Sequence, residues 1–233
     1  PSDFGLRSDP PTHPDLLDWL AKRFVEDGWS VKALHRRLML SAAYRQASDA
    51  RPGLTAADPE NQLLGRMNRR RLDFEGLRDS ILSAAGTLDR TLYGRSVDLF
   101  KFPFPTRRSV YAFVDRQNLP GTLRAFDFAG PDQHIPQRYQ TTVPQQALFL
   151  MNGAFAAVQA KAVAERSAGK GDAERVRLTY RFVLGRDPTP GEATDARAFV
   201  ADAGKAKPAA GQLGAWELFA QALLMSNEFA FVD

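Results

Sequence analysis

Apolar residues recur along this chain mostly at helical spacing. In PPTHPDLLDWLAKRF, Leu16, Leu17, Leu20 and Phe24 fall on one face, with Thr12 and Asp15 ahead of them at capping-box separation. EDGWS breaks the pattern. Ser30 then stands where it caps a second helix, in which Val31, Leu34, Leu38 and Ala42 share a face that Lys32, Arg36 and Arg37 avoid. The turn-rich RQASDARPGLTAADP reads as a linker, and Asp58-Pro59 is expected to open a short helix. RRRLDFEGLRDSILSAAG carries a further helix with Leu77, Ile81 and Leu82 as its spine.

The middle changes character. Phe100, Phe102 and Phe104 alternate, but Pro103 and Pro105 exclude a central strand, so this stretch is expected to be extended or edge-like, followed by a short strand around Val110 to Val114. LPGTLRAFDFAGPDQHIPQRYQ reads as a loop with room for one helical turn. In RYQTTVPQQALFLMN, Thr142 and Gln145 have capping-box spacing. Leu148, Met151, Phe155 and Val158 continue as a stripe past a bend expected at Asn152-Gly153. Asp172 is placed to cap a helix carrying Val176, Tyr180, Val183 and Leu184. Thr189, Pro190 and Glu192 spell a full capping pattern. KAKPAAGQLG is a loop, and Trp216, Phe219, Ala220, Leu223 and Leu224 mark a last buried helix. The expected fold is mainly α: a compact multi-helical domain over residues 1–233, with a long central loop region and room for one short β-hairpin. Two lobes, 1–90 and 110–233, would share a core.

Composition narrows the chemistry. With 44% hydrophobic and 25% charged residues and a net charge of +4, the chain is an ordinary, mildly basic globular sequence. It has no cysteine, which removes disulfides, thiol catalysis, Cys-ligated zinc, iron–sulfur clusters and C-x-x-C-H haem attachment. Apolar runs such as ALFLM are too short to span a membrane. No H-E-x-x-H or comparable spacing joins His13, His35 and His134, so no metal site is expected; His35 reads as a core-edge residue. Glycines form neither G-x-G-x-x-G nor a P-loop, and Ser109 in RRSVY has no histidine near it in sequence.

Five ordered segments, however, belong together: PSDFGLRSDPPTHPDLLDWLAKRFVEDGWSVKALHRRLMLSAAYRQAS, RMNRRRLDFEGLRDSIL, RRSVYAFV, TTVPQQALFLMN and QALLMSNEFAFVD. They strongly resemble a planctomycete-type domain of unknown function, number fifteen fifty-three, nearly end to end. The resemblance implies the C-terminal part of a large exported bacterial protein, periplasmic or otherwise extracytoplasmic. Such a domain follows another uncharacterised domain and often accompanies a c-type cytochrome domain. Haem c would then belong to that other domain, with no cofactor on this chain. The family domain ordinarily begins earlier, with an aromatic and basic stretch before PSDFGLR, so an N-terminal portion is expected to be missing. A first residue that is proline rather than methionine, with no signal peptide ahead of it, fits a processed or excised segment. No catalytic residues are established for the family, and none is carried across. Relatives show a small residue or cysteine followed by Pro-Arg-Arg before the threonine motif; here the text is HIPQRYQ, with Arg138 keeping a basic group.

Candidate chemistry concentrates in a central polar cluster: Arg107, Arg108, Tyr111, Asp127, Asp132, His134, Arg138, Thr141, Thr142 and Gln145. A carboxylate and a histidine there can act as base and acid, with arginines and a helix start holding an anion. The competing account, which we favour, has the arginines pairing with aspartates to anchor a long loop. Arg66, Arg69, Arg70, Arg71 and Arg78 form a second basic group, but Asp73, Glu75 and Asp79 interleave with them, which favours an ion-paired face. The leading expectation is a structural or interaction module, not independently catalytic, whose partners are companion domains of the same polypeptide. The alternative is a binding or catalytic surface for an anionic polysaccharide. Nucleic-acid binding through Lys32, Arg36 and Arg37 on a helix-turn-helix is disfavoured.

Overall fold

Asp73 sets the start of the best-formed helix. Its carboxylate accepts the Gly76 N–H at 2.7 Å, and the helix runs Phe74–Ala85 until Gly86, at φ +73°, turns it off in the left-handed region. Leu77, Ile81 and Leu82 are fully buried on its inner face, as the periodicity requires.

The computed structural model describes residues 8–49 and 52–232. The PSDFGLR that opens the first family segment lies outside the described residues. The chain divides into two compact units, Pro1–Arg70 and Arg71–Val232, so residues 90–110 lie inside the second. Among the described residues, eleven α-helices and a two-stranded antiparallel sheet make up the regular structure, which is mainly α with one small strand pair.

The first unit holds α1 (Pro14–Glu26), α2 (Val31–Leu40) and α3 (Pro52–Ala57). Pro14 takes the first helical position of α1, so the N-cap is His13 rather than Thr12; Thr12 Oγ1 instead meets His13 Nδ1 at 3.0 Å. Ser30 caps α2 as expected, accepting from Ala33 N at 3.2 Å. The apolar faces of both helices exist, but neither helix buries a residue, and His35 is exposed rather than at a core edge. Asp58-Pro59 does not open a helix; α3 ends just before it. The Asp58 carboxylate accepts the N–H groups of Gln62 and Leu63 at 2.9 and 2.7 Å, which winds the chain into a tight turn instead.

The second unit holds α4 (Phe74–Ala85), α5 (Gly121–Ala125), α6 (Pro144–Asn152), α7 (Ala154–Arg166), α8 (Asp172–Leu184), α9 (Pro190–Ala203), α10 (Ala215–Leu224) and α11 (Asn227–Ala230). Strand β1 (Arg70–Arg71) pairs with β2 (Phe231–Val232). α7 lies at the centre, against α10, α4 and α6. The main core joins Phe74, Leu77, Ile81 and Leu82 to Leu150, Phe155, Val163, Ala220 and Leu224. A second cluster seats Tyr180 of α8 against Phe219 of α10, with Val176 and Ala196.

The bend at Asn152-Gly153 is real: α6 and α7 meet at 54°. A Cβ on Gly153 would stand 2.3 Å from the Phe149 carbonyl, so only glycine allows this approach. The carbonyls of Leu150 and Met151, freed by the bend, accept from Gln221 Nε2 at 2.9 Å each. The bend also re-phases the apolar stripe. Leu148, Met151 and Val158 are exposed, and the inward face is Gln146 and Leu150 in α6, then Phe155, Ala160 and Val163 in α7. Among the described residues no single helix is long and apolar enough to cross a membrane.

Three further expectations are corrected. The caps of α6 and α8 are Val143 and Gly171, neither with a side-chain bond, so Thr142 and Asp172 do not cap. Residues 109–111 form a 3-10 turn rather than a strand, and beyond it only an isolated bridge joins Ala112 to Val97. The Thr189/Glu192 capping box of α9 forms in full.

Candidate functional site

The central loops, residues 86–143, fold back along α4, and their polar residues meet that helix one partner at a time. Glu75 and Asp79 lie one turn apart on α4. Arg138 closes on Glu75 with both Nη atoms 2.9 Å from its oxygens, lies 3.8 Å from Asp73, and stacks over Phe128 at 4.6 Å. Those hydrogen bonds, chiefly, raise the Arg138 pKa above its ordinary value. Asp79 Oδ1 accepts from Ser109 N at 2.8 Å and from Ser109 Oγ at 2.7 Å, and its Oδ2 lies 3.9 Å from Arg108 Nε.

The other candidates are placed nearby but do not converge. Arg107 Cζ lies over the Tyr111 ring, 4.0 Å from its centre, and the guanidinium donates to the carbonyls of Thr91, Tyr93 and Arg95; Tyr111 in turn accepts the Tyr93 N–H at 2.7 Å. Asp127, at φ +55°, takes Thr141 N at 2.7 Å and Thr141 Oγ1 at 2.9 Å. Asp132 lies 3.8 Å from Arg116 at the surface. His134, Thr142 and Gln145 are exposed. No described group of three or more His, Asp or Glu side chains is set to hold a metal.

Sequence reasoning passed over the residue that ties this region together. Gln146, 2% exposed, donates from Nε2 to Ala125 O at 2.8 Å and Thr141 O at 3.2 Å, while its Oε1 accepts from Arg71. Arg71 has its pKa lowered by burial, with Asp127 acting in the other direction. Of the second basic group, Arg78 is fully buried and Arg66 donates to the Pro59 carbonyl at 2.9 Å. The acids of α4 therefore pair largely with arginines from distant loops rather than with their neighbours in RMNRRRLDFEGLRD.

Two grooves flank this polar line. One, of about 390 Å³, is walled by Phe74, Leu99, Leu123 and Phe128 and edged by Glu75, Asp79 and Arg108. The other, of about 680 Å³, runs past Ser80, Ser83, Arg90 and Leu92 and shares Asp79 and Arg108 with the first. Arg108 is exposed, and its long contact to Asp79 leaves N–H groups for solvent or ligand. Elsewhere the arrangement neutralises charge and fixes loops. It does not set a nucleophile, base and oxyanion donors around one open point.

The profile of PSD1, a protein family of unknown function (DUF1553), matches residues 1–200. The chain belongs to this family. No curated protein and no solved structure matches it. Within the match to PSD1, the second and third family segments meet in space, since RMNRRRLDFEGLRDSIL supplies Asp79, and RRSVYAFV supplies its partners Arg108 and Ser109.

Proposed function

We propose that this PSD1 chain is a structural and interaction module of an exported multidomain bacterial protein, and that it does not catalyse a reaction by itself. The observation that carries this reading is the apolar surface that the first unit, taken by itself, leaves open on α1, α2 and the turn between them. Leu16 (44%), Leu17 (55%), Trp29 (68%) and Leu40 (62%) remain exposed, whereas the second unit closes a dense core of its own. A large apolar surface left open on a soluble domain marks a contact with another protein. The occupant we assign is a companion domain of the same polypeptide. A c-type cytochrome domain elsewhere on that polypeptide would carry haem c, in an extracytoplasmic setting. The commitment of Arg107, Arg138 and Asp127 to protein partners supports the architectural side of this reading.

Hydrogen exchange compares the intact polypeptide with the isolated 233-residue chain. Amides of residues 14–40 are expected to exchange more slowly in the intact polypeptide. Equal exchange in both, or turnover of a defined substrate by the isolated chain, overturns the proposal.

A further inference from the structure

α4 and the loop that follows it flank the groove of about 680 Å³. Ser80 and Ser83, one turn apart, line it from α4. Leu88, Arg90 and Leu92 line it from the loop, and Arg108 from the segment paired with that loop. All of these residues belong to the second unit. The volume lies within the range of small-molecule sites.

The backbone brings two arginines together there. Asp89 N donates to Thr106 O at 2.9 Å, and Asp89 stands opposite Arg107 in an isolated parallel bridge. Arg90 and Arg108 are the next residues on the two segments, so the parallel register sets them side by side. Like charges in adjacent positions repel, and an anion between them removes that cost.

The protein itself supplies little of that anion. Among the described residues the Arg90 side chain has neither a hydrogen bond nor an ion pair. The Arg108 side chain has there only its 3.9 Å contact with Asp79, beyond hydrogen-bond range. Asp79, the acid in the groove lining, already accepts the N–H and hydroxyl of Ser109 at 2.8 and 2.7 Å, and lies 3.7 Å from buried Arg78. Asp89 is turned to Thr91, whose N–H and hydroxyl it accepts at 2.9 and 2.6 Å. Arg90 and Arg108 are both exposed, so their N–H groups are open to a ligand. The Ser80 and Ser83 hydroxyls likewise have no hydrogen-bond partner among the described residues.

We propose that this groove binds a sugar-sized phosphate or sulfate ester. Its oxyanion is held between Arg90 and Arg108, its hydroxyls meet Ser80 and Ser83, and Leu88 and Leu92 pack against its apolar face. The site is independent of the interaction role assigned to the first unit.

Glucose-6-phosphate and glucose-6-sulfate are the probes, titrated calorimetrically into the full 233-residue chain at low salt, with glucose as the neutral ligand. At least one ester is expected to bind at one site per chain, about tenfold or more tightly than glucose, the range of charge-assisted over neutral hydrogen bonds. The tighter of the two names the ester class; a preference for phosphate should strengthen as pH rises through about 6, where the second phosphate proton leaves. Arg90→Ala and Arg108→Ala should each weaken the tighter ester about tenfold with no fall in melting temperature, since both side chains are exposed. Arg197→Ala removes the same charge from an exposed position on α9 and should leave binding unchanged. Ser83→Trp fills the groove without altering charge, and should weaken binding about tenfold. Ester binding that is absent at millimolar concentration, no tighter than that of glucose, or lowered equally by Arg197→Ala reduces Arg90 and Arg108 to solvated surface charges and overturns the proposal. Binding untouched by Ser83→Trp, or by both groove arginine variants, overturns it as well.

Discussion

Arg138 grips both oxygens of Glu75 across 63 residues of chain, each Nη atom 2.9 Å from its acceptor. The pair fixes the loop before α6 to the first turn of α4, with Phe128 beneath the guanidinium. It is part-buried, so it is expected to exceed an open surface pair, yet to stay near about 1 kcal/mol once solvent screening is counted. Arg138→Ala and Glu75→Gln should each lower stability by about that much in urea denaturation, and the double variant should cost less than the sum. Arg138→Lys should recover only part, because a single ammonium cannot take both oxygens in one plane. Fully additive single costs would show that the two side chains do not act as a pair.

Gln146 and Gln145 are neighbours with opposite fates. Gln146 is buried and bonded to Ala125, Thr141 and Arg71, whereas Gln145 faces solvent. Gln146→Ala strands two carbonyls and a half-buried guanidinium, and should cost about 1–2 kcal/mol. Gln145→Ala should stay within about 0.5 kcal/mol. Parallel urea curves on the two variants check this, and similar shifts for both would contradict the hydrogen-bond pattern.

That offset of one residue shows what was legible in the sequence and what was not. Helices such as α4 and α10 follow directly from apolar periodicity. Their ends depend on a finer rule visible at three prolines. Pro14, Pro144 and Pro190 each take the first helical position, so the cap is the residue just before: His13, Val143 and Thr189. Only Thr189 carries a capping oxygen, and only there does the expected box form. Thr12 and Thr142 stand one residue too early. With the frame of α6 fixed by Pro144, Gln146 rather than Gln145 turns inward.

The candidate site was legible in composition but not in pairing. That loop arginines anchor to acids could be argued from their mixture; which arginine meets which acid could not. Arg138 finds Glu75, and Ser109 finds Asp79, at separations of 63 and 30 residues with no periodic signal between them. A run of arginines beside acids points to an ion-paired face and gives no hint that one of them, Arg78, is buried beside a core of phenylalanines.

Asp127 holds its loop through a backbone conformation that few residues tolerate. At φ +55° its carboxylate receives both the N–H and the hydroxyl of Thr141. Asp127→Asn keeps a side chain suited to this region and one acceptor, so it should be the mildest change. Asp127→Gly loses the bonds but no longer strains the backbone. Asp127→Ala loses the bonds and keeps the strain, and should fall about 1 kcal/mol below the glycine variant in thermal or urea unfolding. Identical stability of the alanine and glycine variants would mean that the backbone here relaxes freely.

The capping box of α9 makes stability depend on acid. Glu192 accepts from both Nη atoms of Arg186, at 2.8 and 2.7 Å, and from Thr189 N at 2.7 Å. These bonds, those of Arg186 first, hold its pKa down from 4.5 to about 2. A carboxylate depressed by folding contributes fully above its unfolded value and loses that contribution as pH falls through its folded one. The Glu192 contribution should therefore be complete above about pH 5 and fade between roughly pH 4.5 and pH 2. Glu192→Gln cannot lose a proton and keeps only neutral hydrogen bonds to Arg186 and Thr189. Its melting temperature should lie below that of the parent chain at neutral pH, and the two should converge as pH approaches 2. Melts recorded across that range settle the matter, since a gap that stays constant down to the lowest pH would mean that the Glu192 proton is not linked to folding.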